Sequence, residues 1–458
     1  MKSSAVKIGA ERAPHRSLFR ALGLKDEDFE KPFIGIANSY TDVIPGHMHL
    51  RELSEEVKRG IIENGGVPFE FNTIGICDGI AMGHEGMKFS LASRELIADS
   101  LESMAEAHCF DALVCICDCD KIIPGMVMGA VRVNVPTIFV SGGPMLAGDY
   151  DGKKIDVKDV FEAVGQHSAG KISDDILYKI ECAACPGAGS CAGLFTANSM
   201  NCLLEVLGIA LPGNGTIPAV DPERKVFAYN SGKQIMEVLK ADVKAKDIIT
   251  EKAINNGFIL DLAMGGSTNT VLHLLAIANE ADIQFDLKRI NELSENICHL
   301  THISPSGEHH MEDLHRAGGI SALLNEINKL NILNTDEKTV SLVSIGERIS
   351  GAEIKDKEVI RPTENPYSKT GGLTLLFGNL APDGAVVKSG AVAENMMVHK
   401  GPARIFNSED DAIKAITSLK INKGDVIVIR YEGPKGGPGM REMLMPTSSI
   451  AGIGLDKD

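Results

Sequence analysis

The stretch VCICDCDKIIPG, from Val114 to Gly125, concentrates side chains that can bind metals. It contains three cysteines, two aspartates and a lysine, and a Pro-Gly pair follows closely. Thiolates are soft ligands that select iron–sulfur clusters or zinc, whereas carboxylates are hard ligands that select Mg²⁺. Because both kinds of ligand lie in one short stretch, the sequence indicates two different metal centres side by side.

The apolar residues 111–117 of this stretch predict a buried parallel strand. Ligands of open α/β sheets bind beyond the carboxyl ends of the strands, so Cys119, Asp120 and Lys121 lie where a site is expected. We interpret Cys115 and Cys117 as core residues of the strand, because free cysteine is commonly buried.

A second loop, ECAACPGAGSCAG (181–193), also combines cysteines with small residues. Its spacing matches neither the compact cysteine run of a ferredoxin nor the paired C-x₂-C of a zinc ribbon. Backbone without bulky side chains can approach a ligand closely. The pattern therefore favours a cluster that is held from distant loops and that can leave one iron open to substrate.

Three carboxylates are candidate Mg²⁺ ligands. Asp78 follows a predicted strand over 69–76, and Asp120 follows what we expect to be a neighbouring strand at the same sheet edge. Glu442 lies in the Gly/Pro-rich stretch EGPKGGPGMREML near the end of the chain. The alternatives are a turn or cap residue for either aspartate and a first-turn helix acid for Glu442.

Composition excludes several classes of function. The 458 residues carry a net charge of −16, which disfavours nucleic acid and anionic membranes as partners. An anionic small substrate would need local positive charge, for which a metal cation is the obvious source. No apolar run could span a membrane and no secretory signal is visible, so we expect a cytoplasmic protein. A transit peptide is the alternative for the basic N-terminus.

The chain alternates predicted strands and helices over residues 1–340, which indicates an α/β domain whose parallel sheet is covered by helices. Four strands are predicted there, over 32–38, 69–76, 111–117 and 136–143. Residues 341–458 are β-rich, and we expect them to form a second, barrel-like domain after a connector over 349–369. Because so few strands leave edges unpaired, this domain is expected to be truncated.

Long ordered motifs give the chain a clear resemblance to the dihydroxy-acid and sugar-acid dehydratase family, which includes phosphogluconate dehydratases. They include NSYTDVIPGHMHL, FNTIGICDGIAMGHEGM, CDKIIPGM, CPGAGSCAG, LDLAMGGSTNTVLHLLA, YSKTGGLTLLFGNLAPDGAVVK and VIRYEGPKGGPGMREML. The resemblance runs the whole length of the chain.

The resemblance implies a role for each matching residue. Cys119 and Cys191 would be iron–sulfur ligands, while Asp78, Asp120 and Glu442 would bind Mg²⁺. Lys121 matches a lysine that is carbamylated and binds Mg²⁺ through the carbamate.

Two departures from the family pattern bear on the site. Gly46 replaces the cysteine that is a third cluster ligand in many members, so the third ligand and the choice between [2Fe–2S], which we favour, and [4Fe–4S] stay open. Cys77 and Cys185 are the nearest substitutes in sequence. The family's catalytic serine base is expected beyond Asp458, so no catalytic base is assigned within the chain.

The function that the resemblance implies is dehydration of 2,3-dihydroxy-3-methyl carboxylic acids to 2-keto acids in valine, isoleucine and pantothenate-precursor synthesis, by a homodimer. The alternatives are a sugar-acid dehydratase and an inactive cluster-binding fragment. Ser267, Thr268, Asn269 and His47 are candidate substrate contacts, and each could equally be a cap or a structural hydrogen bond.

Overall fold

The computed structural model describes residues 1–433, 441 and 443–457. The helices, in chain order, are α1 (Ser4–Lys7), α2 (Ala13–Ala21), α3 (Leu50–Glu63), α4 (Asp78–Ala81), α5 (Ser90–Ala107), α6 (Ile122–Val133), α7 (Val157–Ser168), α8 (Asp174–Ala184), α9 (Thr196–Leu207), α10 (Pro222–Lys240), α11 (Ala245–Ile248), α12 (Glu251–Met264), α13 (Asn269–Glu280), α14 (Lys288–Asn296), α15 (Met311–Arg316), α16 (Gly319–Asn328), α17 (Ile345–Ile349), α18 (Glu409–Thr417) and α19 (Leu444–Ile453). The strands are β1 (Phe33–Asn38), β2 (Val67–Asn72), β3 (Ala112–Cys117), β4 (Thr137–Ser141), β5 (Gly148–Tyr150), β6 (Lys153–Ile155), β7 (Thr374–Leu376), β8 (Ala385–Val387), β9 (Ala403–Phe406) and β10 (Val426–Ile429).

A four-stranded parallel sheet in the order β2-β1-β3-β4 forms the centre of the N-terminal part. β1, β3 and β4 are completely buried, as expected for apolar strands that are covered on both faces. Helices α3 and α10 pack against each other and against the sheet, while α6 contacts β3 and pairs with α5. The predicted α/β fold with a helix-covered parallel sheet is confirmed.

The strand that precedes Asp78 is shorter than expected. β2 ends at Asn72, so a loop separates it from Asp78, which begins the short helix α4. β2 and β3 are both neighbours of β1 and do not pair with each other. The prediction that Asp78 and Asp120 follow neighbouring strands is therefore wrong, although both strands end at the same sheet edge because all strands are parallel.

The last part of the described chain contains two separate two-stranded sheets. β7 and β8 form an antiparallel pair whose apolar residues join the large core, and β9 and β10 form a parallel pair connected through α18. The described residues show no barrel, so that expectation is not supported. The expected truncation of this domain and the proposed boundary at residue 340 stay predictions.

Helix α19 packs against α7 through glycines. A Cβ on Gly452 would lie 2.3 Å from the Glu162 carbonyl oxygen, and one on Gly165 would lie 2.7 Å from the Ser449 carbonyl oxygen. Since any side chain at either glycine would separate the helices, this close contact fixes the C-terminal segment on the N-terminal part. No helix within the described residues is long and apolar enough to cross a membrane.

Candidate active site

Two of the predicted Mg²⁺ ligands form a buried ion pair. The ammonium of Lys121, at the start of α6, contacts one carboxylate oxygen of Asp78, and the hydroxyl of Ser90 donates to the other. Both side chains of the ion pair are only 2% exposed. The structure therefore brings Asp78 and Lys121 together.

Cys119 lies beside the glycine that replaces the family's third cysteine. A Cβ on Gly46 would lie 3.3 Å from Sγ of Cys119, 3.3 Å from Oδ2 of Asp118 and 3.2 Å from the backbone nitrogen of Ser190. A cysteine at position 46 would thus place its sulfur next to that of Cys119. The geometry explains how these positions can share one cluster in members of the family that have both cysteines.

Asp118, directly before Cys119, joins the segments that carry the two predicted cluster ligands. Its Oδ1 accepts hydrogen bonds from the Ser141 hydroxyl (2.9 Å), the Gly143 N–H (3.0 Å) and the Asn201 amide (3.0 Å). Its Oδ2 accepts from the Ser190 N–H (3.1 Å), one residue before Cys191. Burial raises the pKa of Asp118 to about 8, against the opposing effects of Ser141 and Arg224.

Three thiols interact electrostatically around this network. Burial raises the pKa of Cys119 and of Cys191 well above the usual range, and Cys77 and Asp120 add to both shifts. Cys185 affects Cys191 but is not among the groups that influence Cys119, and it is exposed. Of the two substitutes for a cysteine at position 46, Cys77 is therefore the one that affects the pKa values of both predicted ligands, Cys119 and Cys191.

A cavity of about 580 Å³ lies between the N-terminal part and the C-terminal segment. Asp78, Asp120 and Cys191 line it, so it brings together members of both predicted metal sets. Helix α19 supplies another wall, which includes Thr447 and Ser448 of the Pro-Thr-Ser segment. A small acid in this cavity could reach the thiolate site and the carboxylate site at once.

The four candidate substrate contacts separate into two groups. Ser267 and Thr268 line the cavity, whereas Asn269 is buried and its amide donates to the Thr196 hydroxyl at 2.9 Å. His47 is fully buried, and its Nδ1 lies 2.7 Å from the Ser39 carbonyl oxygen. Asn269 and His47 are thus positioned as structural hydrogen-bond partners.

The donor set fits the two metal groups that the resemblance implies. Position 46 lies directly beside Cys119, and Cys191 shares a cavity with two carboxylates. No three His, Cys, Asp or Glu side chains within the described ranges are arranged to hold a single metal ion. Glu442, the predicted ligand near the end of the chain, lies outside the described residues.

Sequence reasoning missed Asp118 and Lys388. In the sequence, Asp118 is one of several acids in the CDCDK stretch. Its position directly after a buried strand was the available signal, because a buried aspartate needs hydrogen-bond donors from other segments. Lys388 lines the cavity and stands within the motif GAVVKSG, which carried no recognisable ligand spacing. The prediction of a serine base beyond Asp458 stays a prediction.

Comparison with known proteins agrees with this arrangement. Residues 31–348 match the family model described as dihydroxy-acid/6-phosphogluconate dehydratase N-terminal, and residues 358–458 match the corresponding C-terminal model. The chain is 60% identical over 454 residues to the dihydroxy-acid dehydratase of Aquifex aeolicus, covering 99% of this chain and 82% of the relative. It is 58% identical over 458 residues to that of Acetivibrio thermocellus, covering 100% of this chain and 83% of the relative. With both family models matched in sequence order and a cavity that unites their cysteine and carboxylate motifs, the chain belongs to the dihydroxy-acid/6-phosphogluconate dehydratase family.

Proposed function

We propose that this chain acts as a dihydroxy-acid dehydratase, a hydro-lyase of branched-chain amino acid biosynthesis. Its substrates are 2,3-dihydroxyisovalerate and 2,3-dihydroxy-3-methylvalerate, which lose water to give 2-keto acids. The single observation that carries the proposal is that Cys191, Asp78 and Asp120 line the same cavity. The named relatives are dihydroxy-acid dehydratases, so the sugar-acid alternative is not favoured.

The reaction breaks the C2–H and C3–OH bonds and yields an enol, which tautomerises to the 2-keto acid. Hydroxide is a poor leaving group and the C2 proton is weakly acidic. Cleavage of the C3–OH bond and of the C2–H bond therefore each needs catalysis. When bound, an iron–sulfur cluster would supply Lewis-acid chemistry for the departing hydroxyl, and Mg²⁺ would supply it for the carboxylate and the C2 hydroxyl. The walls of the cavity hold the acid between the cysteine ligands and the carboxylate ligands and exclude water.

The ion pair between Lys121 and Asp78 suggests how the Mg²⁺ site is completed. Addition of CO₂ to the neutral amine of Lys121, with loss of a proton, would replace a cation by an anionic carbamate. Two negative groups would then lie where a cation and an anion now neutralise each other, and a divalent ion would be needed between them. We propose Asp78, Asp120, carbamylated Lys121 and Glu442 as the Mg²⁺ ligands.

For the cluster we propose Cys119 and Cys191 as ligands and Cys77 as the third thiolate. The segment that carries Cys77 lies against the start of α6, just after Cys119, and against the loop that carries Gly46: a Cβ on Gly75 would be 2.9 Å from Cδ1 of Ile122 and 3.3 Å from Cδ1 of Ile44. Removing Cys77 should lower the iron and sulfide bound per chain after anaerobic reconstitution, whereas removing exposed Cys185 should not. Retention of a full cluster by Cys77→Ser would contradict this assignment.

The cluster type, the location and the oligomeric state are further parts of the proposal. We propose a [2Fe–2S] cluster, with [4Fe–4S] as the alternative that the visible and electron paramagnetic resonance spectra would distinguish. We also propose a cytoplasmic homodimer that binds neither nucleic acid nor membranes, consistent with the acidic composition.

The decisive experiment is anaerobic turnover of 2,3-dihydroxyisovalerate by the reconstituted chain with Mg²⁺, compared with turnover of gluconate. Formation of 2-oxoisovalerate from the first substrate alone supports the proposal. Preferential dehydration of gluconate would show a sugar-acid dehydratase, and a bound cluster without turnover of either substrate would show a cluster-binding fragment.

A further inference from the structure

The cavity is short of positive charge for a carboxylic acid substrate. Its described lining contains four acidic side chains, those of Asp78, Asp120, Glu162 and Asp456, and two basic ones, those of Lys158 and Lys388. Lys158 lies 3.7 Å from Glu162 and is partly neutralised by it. Besides the proposed Mg²⁺, the ammonium of Lys388 is therefore the main cationic group that the described lining offers to an anion.

The surroundings of Lys388 leave its ammonium available within the cavity. No hydrogen bond or ion pair from this ammonium is found among the described residues, and the buried Asp261 is the carboxylate that influences its pKa. Burial lowers the pKa of Lys388 to about 8, and Asp261 opposes that shift. A desolvated ammonium that lacks an ion-pair partner gains strongly when an anion arrives.

The turn that carries Lys388 is held in place. It follows β8, and the Gly390 N–H donates to the Gly372 carbonyl at 3.0 Å. The Ser389 hydroxyl accepts from the Thr374 hydroxyl at 3.0 Å. A Cβ on Gly390 would lie 2.7 Å from the His299 ring, so the turn has no room to move towards that side. Lys388 is thus presented by a fixed backbone and not by a free loop end.

We propose that Lys388 binds the carboxylate of the substrate in this cavity. The proposal rests on the proposed dehydratase function and adds a substrate-binding residue to it. The carboxylate is the same in the dihydroxy acid and in the keto acid, so its interaction with Lys388 stabilises ground state and transition state alike. Loss of such an interaction raises KM and leaves kcat nearly unchanged.

The test compares Lys388→Met, Lys388→Arg and the exposed control Lys400→Met in the Mg²⁺-loaded, reconstituted enzyme. Binding of 2-oxoisovalerate and of its uncharged amide is measured by calorimetry, alongside KM and kcat for 2,3-dihydroxyisovalerate. We expect Lys388→Met to weaken keto-acid binding about 10- to 100-fold, the range for a charge-assisted hydrogen bond, and to leave amide binding unchanged. Lys388→Arg should restore most of the affinity, and Lys400→Met should match the unsubstituted chain.

Equal affinity of Lys388→Met and the unsubstituted chain for the keto acid would overturn the proposal, as would an equal loss for acid and amide. Circular dichroism of each variant shows whether it is folded, and the amide serves as the internal control for an intact cavity. If the unsubstituted chain neither binds the keto acid nor dehydrates the substrate, the proposed function itself fails. The two failures are therefore distinguishable.

Discussion

The carboxylate of Asp78 and the ammonium of Lys121 neutralise each other in the interior, where each side chain is only 2% exposed. Removing one partner of such a pair leaves an uncompensated buried charge, which costs about 3–5 kcal/mol. We therefore expect Lys121→Met and Asp78→Asn each to lower the free energy of unfolding strongly, and the double variant to recover much of that loss.

Urea denaturation of the two single variants and the double variant measures this coupling as a double-mutant cycle. The exposed pair of Lys179 and Asp175 is a matched control, because its partners lie 2.7 Å apart in solvent. Its variants should leave stability unchanged. Additive losses at Asp78 and Lys121 would show that the buried pair is not coupled.

Carbamylation of Lys121 should link Mg²⁺ binding to bicarbonate. The unmodified pair with Asp78 has no net charge, whereas the carbamate adds an anionic oxygen donor. We expect the affinity for Mg²⁺ to rise with bicarbonate concentration, as measured by calorimetry. Lys121→Met should remove this dependence, and Lys400→Met should preserve it. Bicarbonate-independent Mg²⁺ binding by the unsubstituted chain would argue against a carbamate ligand.

Gly46→Cys should add a thiol beside Cys119. The new Cβ would stand 3.3 Å from Sγ of Cys119 and from Oδ2 of Asp118 and 3.2 Å from the Ser190 nitrogen, so the neighbours must give by a few tenths of an ångström. We expect an altered cluster spectrum and slower loss of iron in air. Gly46→Ala introduces the same steric change without sulfur. Identical spectra and iron loss for the two variants would show that position 46 cannot supply a cluster ligand.

Asp118→Asn should loosen the loop that carries Cys191. An asparagine can keep one oxygen as acceptor, but its amide N–H₂ would then face the Ser190 N–H, which now donates to Oδ2 at 3.1 Å and to the Gly143 carbonyl at 3.0 Å, so the new amide is left without an acceptor there. Leaving buried donors unpaired costs about 1–3 kcal/mol. Hydrogen exchange at residues 187–191 should therefore accelerate by at least about tenfold. Unchanged protection there would contradict the linking role of Asp118.

Acid should destabilise the fold through buried histidines. Burial lowers the pKa of His47 to about 4 and that of His299 to about 4. Between their unfolded pKa near 6.5 and these folded values the unfolded chain binds more protons, so stability falls as pH falls through this window. From pH 7 to pH 5 each histidine should remove about 2 kcal/mol.

Urea titrations at pH 7 and pH 5 measure this loss. His47→Asn keeps an N–H donor near the Ser39 carbonyl but does not titrate, so it should lose about 2 kcal/mol less than the unsubstituted chain over the same range. Replacing the exposed His399 by Asn is the control, and it should leave the pH dependence unchanged. An unaltered slope for His47→Asn would mean that this ring is protonated in the folded chain.

Local patterns were sufficient to predict the sheet. The apolar run before Asn38 and the run ending at Cys117 became β1 and β3, and the β-rich part after residue 340 contains β7 to β10. Apolar runs bounded by turn residues carry this information within a few positions. The end of β2 was misjudged because the residues after Asn72 form a loop, in which Gly75 lies close to Ile44 and Ile122.

The site was only partly predictable. Motifs predicted that Cys119, Asp78 and Lys121 belong to metal centres, which stays a prediction, but they could not show that the last two neutralise each other. Lys388 has no signal of its own, because its role depends on which distant segments surround it. The ion pair and the surroundings of Lys388 both depend on tertiary structure, which the spacing of residues along the chain does not predict.

The glycine contact between α7 and α19 also sets limits on how this enzyme can be altered. The width of the cavity depends on how closely α19 approaches, and that approach is fixed by Gly165 and Gly452, whose missing side chains admit the carbonyls of Ser449 and Glu162. Gly452 is not among the residues that line the cavity. A single added methyl group at Gly452 could therefore widen the cavity for bulkier acids. A library of substitutions confined to the residues that line the cavity would not include this position.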